Sequence, residues 1–294
     1  MSLRRRISRL IWSQDQTPDT KPPFVPPGHF YSPIPSEEDV ARNAQRQTID
    51  RVIPGIDLRE SDQLVLLHSL IGLYREQPFS AQPQPGFRYC FENPAYSYSD
   101  AIFLYCMLRH LRPRRVIEIG SGYSSCVMLD TSERFLRPQP SLAFIEPYPQ
   151  LLASLLRPSE SEQLTILPVR LQDVELDRFQ ALEANDILFV DSTHVSKVGS
   201  DVNRLIFEIL PALQPGVHVH FHDIFYPFEY PQAWLEEGRA WNEIYILRAF
   251  LQYNRAFRVV LMNTFMEHFH AEFFEEHMPL CLKNPGGSLW IRKE

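Results

Sequence analysis

The stretch VIEIGSGYSS, residues 116–125, constrains the fold of this chain more than any other. Val116, Ile117 and Ile119 make an apolar burst of strand length, Gly120 and Gly122 break it, and the CVMLD that follows begins a helical pattern. The glycines therefore stand where a strand hands over to a helix. In α/β proteins that junction is a favoured seat for a ligand carrying adenosine.

The rest of the chain supplies the matching elements. Apolar strand candidates recur at RVIEIG, LAFIEP, LTILPV, DILFVD and VHVHFH, separated by helical stretches such as DVNRLIFEILPAL. This β/α alternation predicts a parallel sheet in a domain that starts near residue 80. After the fifth strand, AWNEIYILRAFLQYN reads as a long helix leading to FRVVLMN and then SLWIRK. Those last two strands, joined by a long excursion, predict an antiparallel hairpin closing the sheet edge. Upstream, Ser99 is expected to cap a helix through AIFLYCMLRHL. Ser61 is expected to cap one whose apolar positions include Leu64, Leu67, Leu70 and Ile71. Ser36 and Asp39 offer a capping box for a helix through about Val52. The expected organisation is a basic tail and Pro-rich strap over residues 1–35, a helical segment packing on the core over 36–80, and the main domain over 81–294.

A chain of 294 residues with 44% apolar content can bury a full core. Its net charge of −7 and pI near 5.8 argue against nucleic acid as the main partner, because phosphate binding wants a basic face. Cys90, Cys106, Cys126 and Cys281 show no CxxC pairing, and three of them lie in apolar runs, as reduced core thiols of a cytoplasmic protein do. No apolar run approaches the roughly 18 to 20 residues of a spanning helix, so no integral membrane association is expected. MSLRRRISRLIW would carry a basic and an apolar face on a helix, which suits weak contact with a membrane surface or a tail that folds onto the body.

Three ligand classes use a glycine turn of this kind: dinucleotides, nucleoside triphosphates and S-adenosylmethionine. The dinucleotide fingerprint G-x-G-x-x-G needs glycine where this chain has Ser125, and a phosphate loop needs a lysine directly after its glycines, where none stands. What remains is Glu118-x-Gly120-x-Gly122 with the acid Glu146 about 25 positions later. This pattern resembles the first two motifs of the class I S-adenosylmethionine-dependent methyltransferases, and the resemblance runs in order from residue 90 to 294. It implies a Rossmann-like methyltransferase fold: a mostly parallel seven-stranded sheet with helices on both faces and a C-terminal antiparallel hairpin, plus the N-terminal helical extension. It also implies that Glu118, Gly120, Ser121, Gly122 and Tyr123 form the turn beneath the amino acid part of the cofactor. Glu146 would accept from the vicinal ribose hydroxyls. Asp173, in LQDV, would lie beside the adenine amino group, although a helix cap explains the same residue.

Open α/β sheets bind ligands at the carboxyl ends of their strands. There the fourth strand ends FVDSTHV, giving Asp191 and His194, and the fifth ends VHFHDIF, giving His222 and Asp223. His218, His220 and His222 share one strand face, so at least one is expected to be core packing. Asp191 paired with Asp223 resembles metal-dependent O-methyltransferases, implying a divalent ion, Mg or Mn, on Asp191, His222 and Asp223; Asp191 would also border the cofactor. The family's catechol-type members carry Asp-Asn and its sugar-type members two adjacent acids after the fifth strand, where this chain has His222 and Asp223. Imidazole suits Mg²⁺ poorly. A metal-free version is equally coherent, with His194 or His222, oriented by Asp191 or Asp223, taking the proton from an acceptor hydroxyl.

The aromatic stretch FYPFEYPQAWLEEGRAWNE after the fifth strand is material for a lid or for structural glue. The GHFYSP strap, the IEIGSGYSS turn and the fifth-strand end VHFHDIF together resemble bacterial methyltransferases that tailor polysaccharides and secondary metabolites. That implies a small-molecule or glycan acceptor, and a homo-oligomer is the expected assembly. Two other readings stay open on the same residues. One is a metal-dependent hydrolase or hydroxylase-like enzyme using Asp191, His194, His222 and Asp223; the other is an inactive Rossmann-like binding protein.

Overall fold

The computed structural model describes residues 22–45, 48–158 and 160–294. The basic stretch MSLRRRISRLIW and the first part of the strap lie outside the described residues. Seven strands, β1 (Arg115–Ile119), β2 (Ser141–Ile145), β3 (Thr165–Leu167), β4 (Ile187–Val190), β5 (His218–His222), β6 (Phe257–Met262) and β7 (Ser288–Lys293), form one sheet. Their order is β3-β2-β1-β4-β5-β7-β6. The first five are parallel, and β7 runs antiparallel to both β5 and β6. The expected hairpin is therefore present, with a difference: β7 slots in beside β5, and β6 takes the edge. The excursion over 263–287 gives the chain enough reach to return inside β6 rather than outside it.

Eleven helical segments are named here: α1 (Glu37–Ala44), α2 (Glu60–Arg75), α3 (Tyr98–Leu111), α4 (Tyr123–Phe135), α5 (Gln150–Leu155), α6 (Asp177–Gln180), α7 (201–212), α8 (Gln232–Glu236), α9 (Glu243–Leu251), α10 (Asn263–Phe269) and α11 (Ala271–His277). The central strands are covered on both sides, which is why β4 reads ILFV without a polar residue and is buried throughout. Helix α3 is buried from Tyr98 to Leu108, and after Ser99 and Asp100 its sequence from Ala101 to Leu108 is apolar all round rather than on one stripe. Helix α7 passes through a π-turn at Leu205–Ile209 just before Pro211, whose missing N–H and bulky ring disfavour a regular α-turn.

The helix starts depart from expectation by one or two residues. Ser36 and Asp39 do form the capping box, but the helix α1 ends at Ala44, and none of its residues is buried. Helix α2 begins at Glu60 behind a left-handed Arg59, so Ser61 lies inside it. Ser97 holds the cap position of α3, which frees Ser99 to donate to Glu267 in the core at 2.6 Å. Helix α2 joins the sheet through Gln63, which is buried and accepts from the Met262 N–H of β6 at 2.8 Å. Arg88 is buried with Asp130 of α4 at 2.6 Å and also donates to Glu160 at 3.0 Å, fastening the segment before α3 to the back of α4. A buried charge in such a place needs these partners to be tolerated at all.

Candidate active site

The turn after β1 is built by close backbone approach. Gly120 has φ +85, and its N–H donates to Ile145 O of β2 at 3.0 Å while Asp191 N–H donates to Ile119 O at 2.9 Å. A Cβ on Gly120 would lie 1.8 Å from the Asp191 carbonyl oxygen, so only glycine fits. Gly122, by contrast, is extended (φ 169) and starts α4. Glu118 is fully buried beneath the turn, accepting from the hydroxyls of Ser124 and Ser125. Ser125 also accepts from Gly122 N–H at 3.0 Å. The residue that breaks the dinucleotide fingerprint thus knits the turn to the strand below it.

Burial raises the Glu118 carboxyl to about 8, against the lowering effect of the two serine hydroxyls. A folded pKa raised above the ordinary value of 4.5 gives stability that is whole below about pH 4.5 and is lost as pH rises toward 8. Glu118→Gln mimics the neutral form and should remove this loss. Its urea midpoint relative to wild type is expected to rise progressively from pH 5 to pH 8; parallel curves would contradict the assignment.

Glu146 follows β2 and is half-buried, with one oxygen accepting from Tyr148 N–H at 2.8 Å. Burial raises its carboxyl, opposed by the backbone N–H groups of Tyr148 and Ser121. Glycine turn and acid therefore lie together at the ends of β1 and β2. Ser121 Oγ and Ser192 Oγ are shielded from solvent without a hydrogen-bond partner among the described residues. Orphaned hydroxyls at the ends of β1 and β4 fit a polar ligand lying across those strand ends. Tyr123 is half-buried at the start of α4. Asp173 is exposed in a short 3-10 turn and is paired with Arg170 at 2.9 Å, which holds its carboxyl low.

At the ends of β4 and β5 the structure gathers Asp191, His194 and Asp223, each offering a ligand atom within 4.8 Å of the others. His194 Nε2 lies 3.5 Å from Asp191 Oδ1 and 3.5 Å from Asp223 Oδ2. His194 and Asp223 both sit in the left-handed region, each at φ 59, a strained conformation kept only where the surroundings enforce it. For His194 the enforcement is visible: Asp201 holds the neighbouring Thr193 through its N–H at 3.0 Å and its hydroxyl at 2.6 Å. His222, expected among the metal ligands, lies outside the group of three. Its Nε2 is 3.5 Å from Asp223, and its ring packs on Tyr96 at 4.9 Å. His220 is packing: both its nitrogens lack partners among the described residues, and its ring stacks on Phe189 and meets Trp290 edge-on, its two cross-strand neighbours.

Electrostatics at this rim are dominated by carboxylates. Burial opposes charge on His194, but the bonds to Asp191 and Glu243 raise its pKa well above the ordinary 6.5. Burial likewise opposes charge on Asp191, yet His222 and His194 hold it low, whereas Asp223 is raised because burial outweighs the same histidines. Sequence reasoning missed Glu243. It is buried at the start of α9, 49 residues past His194, with Oε2 2.8 Å from His194 Nδ1. The one available signal was a lone acid opening a mostly apolar helix. Trp241 covers the same imidazole at 4.6 Å, and Trp234 packs on Trp241 at 5.4 Å, so the aromatic stretch 225–241 borders the site.

Residues 117–224, from β1 through the residue after Asp223, match the family described as "Methyltransferase domain". An uncharacterized protein of Archaeoglobus fulgidus is 33% identical over 192 residues, covering 62% of this chain and 85% of the relative. Among solved structures, an S-adenosylhomocysteine-bound methyltransferase of Podospora anserina aligns at 14% identity and TM-score 0.42, over 88% of this chain and 97% of the other. An O-methyltransferase from Streptomyces achromogenes involved in tomaymycin synthesis, in complex with S-adenosylmethionine, aligns at 17% identity and TM-score 0.42, over 87% and 95%. The matched segment holds the glycine turn, Glu146 and the gathered residues at the ends of β4 and β5, and the chain belongs to the class I S-adenosylmethionine-dependent methyltransferases.

Proposed function

We propose that this methyltransferase acts on oxygen, transferring the methyl group to a hydroxyl of a sugar or other small polar acceptor. The observation that carries the reading is the convergence of Asp191, His194 and Asp223 within 4.8 Å at the strand ends, beside the glycine turn. A hydroxyl attacking a sulfonium methyl must be held in line and must lose its proton. His194 Nε2 faces the two carboxylates at the strand ends and is the group suited to take that proton. Without a ligand it is held as an imidazolium by its acidic neighbours. Bound S-adenosylmethionine would supply a sulfonium charge; Asp191, sharing its negative charge with that group, would hold the His194 proton less tightly and leave Nε2 able to take the acceptor's proton. With that charge gone, Asp191 and Glu243 would again favour the protonated imidazole.

Asp191, His194 and Asp223 also have the donor set for a divalent ion, and two carboxylates with an imidazole suit Mn²⁺ better than Mg²⁺. Such an ion would lower the pKa of a bound acceptor oxygen. Dialysis against a chelator, followed by assay with restored Mn²⁺ or Mg²⁺, separates the two versions. Activity undiminished in chelator assigns the proton to His194, and activity dependent on added metal assigns the three residues to the ion.

Glu146 is proposed to hold the ribose hydroxyls of the cofactor. Glu146→Ala should weaken S-adenosylmethionine binding by about 1.5 to 3 kcal/mol, the range for hydrogen bonds to a charged group. Calorimetry giving wild-type affinity in this variant would place the ribose elsewhere.

A further inference from the structure

The segment Trp241-Asn242-Glu243 is committed almost entirely to the loop after β4. Trp241 lies on the His194 ring at 4.6 Å. The backbone N–H groups of Asn242 and Glu243 both donate to the His194 carbonyl, at 3.0 and 3.1 Å. The Asn242 side chain pairs with the Ser196 peptide in both directions, accepting from its N–H at 2.6 Å and donating to its carbonyl at 3.2 Å. Glu243 completes the clamp with Oε2 at 2.8 Å from Nδ1, while its buried Oε1 has no partner among the described residues. With Nδ1 held by Glu243, the ring is fixed with Nε2 turned toward Asp191 and Asp223, at 3.5 Å from each.

From this geometry we propose that Glu243 is a positioning residue for the methyl-transfer centre, setting the orientation and tautomer of His194. It does so from the end of the aromatic stretch that borders the acceptor side. The helix dipole favours a negative group in the first turn of α9, where Glu243 stands. Stability alone does not account for the arrangement. The backbone of α9 already anchors the loop through the 194 carbonyl, and an apolar side chain of similar volume would pack at position 243 without leaving an acid oxygen buried and unpaired. Because 225–241 leads directly into this clamp, displacement of the aromatic stretch would pull on the imidazole. Alignment of His194 is thereby linked to the ordering of the acceptor side.

The proposal rests on His194 belonging to the reacting centre, and its test is read in two independent ways. The first is the 15N and ring-proton spectrum of His194 in the full chain saturated with S-adenosylhomocysteine, taken above the pH at which its imidazolium titrates. Wild type should show a protonated Nδ1 with a slowly exchanging, strongly downfield proton, and Glu243→Leu should lose that signal and gain the Nε2–H tautomer. The second is kinetics with whichever p-nitrophenyl glycoside wild type methylates fastest. Glu243→Leu should lower kcat about 100-fold, the loss expected from a misplaced reacting group, with KM and cofactor affinity within about threefold. Glu243→Gln keeps an acceptor for Nδ1–H and should recover most of the rate. If the leucine variant fails to fold, Glu243→Gln decides alone: its Nδ1 proton should move upfield as the partner loses charge, and an unmoved proton overturns the proposal. So does a leucine variant with wild-type ring shifts, or one whose lost rate follows lost cofactor affinity. If no glycoside is methylated by wild type, the acceptor reading fails while the spectra still decide the role of Glu243.

Discussion

Gly120→Ala is expected to leave little or no folded, cofactor-competent protein. The backbone at this residue is left-handed, with φ +85, which costs a non-glycine residue about 1–2 kcal/mol before any contact is counted. The new Cβ would then stand 1.8 Å from the Asp191 carbonyl oxygen and 2.9 Å from its carbon. Neither side can move freely, because Gly120 N–H is bonded to β2 at 3.0 Å and Asp191 N–H to β1 at 2.9 Å. Overpacking of this kind costs about 1–3 kcal/mol where a core can adjust, and more where backbone meets backbone. The sum reaches several kcal/mol against a total stability of roughly 5–15. Gly122→Ala is the matched control. Gly122 is extended, and a Cβ there meets only the flexible Leu151 side chain, at 3.3 Å, so that variant should melt within a few degrees of wild type. Thermal melts by circular dichroism compare the two directly. A Gly120→Ala protein as stable as Gly122→Ala would show that the β1 turn and Asp191 are not packed as described.

His194→Ala should reduce kcat about 1,000-fold while leaving S-adenosylmethionine affinity nearly intact, within the 10²–10⁴ span that a positioned general base supplies. The pH profile adds a sign. Asp191 and Glu243 raise the histidine's pKa well above 6.5, so the unliganded enzyme holds its base protonated near neutrality. The profile of kcat/KM should therefore climb with pH to a plateau beyond the range of an ordinary histidine, because kcat/KM reports the base of the free enzyme. A flat profile, or near-full activity in His194→Ala, would remove the imidazole from the proton path.

How far the sequence could be read follows from the range over which each feature is determined. The sheet was legible because β1, β2, β4 and β5 are short apolar runs between turn residues, and the glycine turn with Glu146 was legible because its parts lie in consecutive β/α units. The place of β7 between β5 and β6 was not, since nothing local says on which side of an edge strand a 25-residue excursion returns. The candidate site divides in the same way. Asp191 and Asp223 followed from strand ends alone. The choice between His194 and His222 did not, because strand parity predicts that His222 shares a face with His220 but says nothing of the left-handed turn that carries His194 back over Asp191. Glu243 comes from a helix far along the chain and is a tertiary fact. Asp100 of α3 is another tertiary fact, since it accepts from Gly287 N–H at 3.1 Å and from Asn263 at 3.2 Å, both far along the chain.

The most direct test of the central claim is the fate of a labelled methyl group. Wild-type protein is incubated with methyl-labelled S-adenosylmethionine and a panel of glycosides, alongside His194→Ala and Asp191→Ala variants shown to be folded. The account predicts a base-stable methyl ether on a sugar hydroxyl, formed by wild type and diminished at least a hundredfold in both variants, as loss of a base or of its alignment requires. Label recovered on nitrogen or carbon, or ether formed equally well by the two variants, would contradict it.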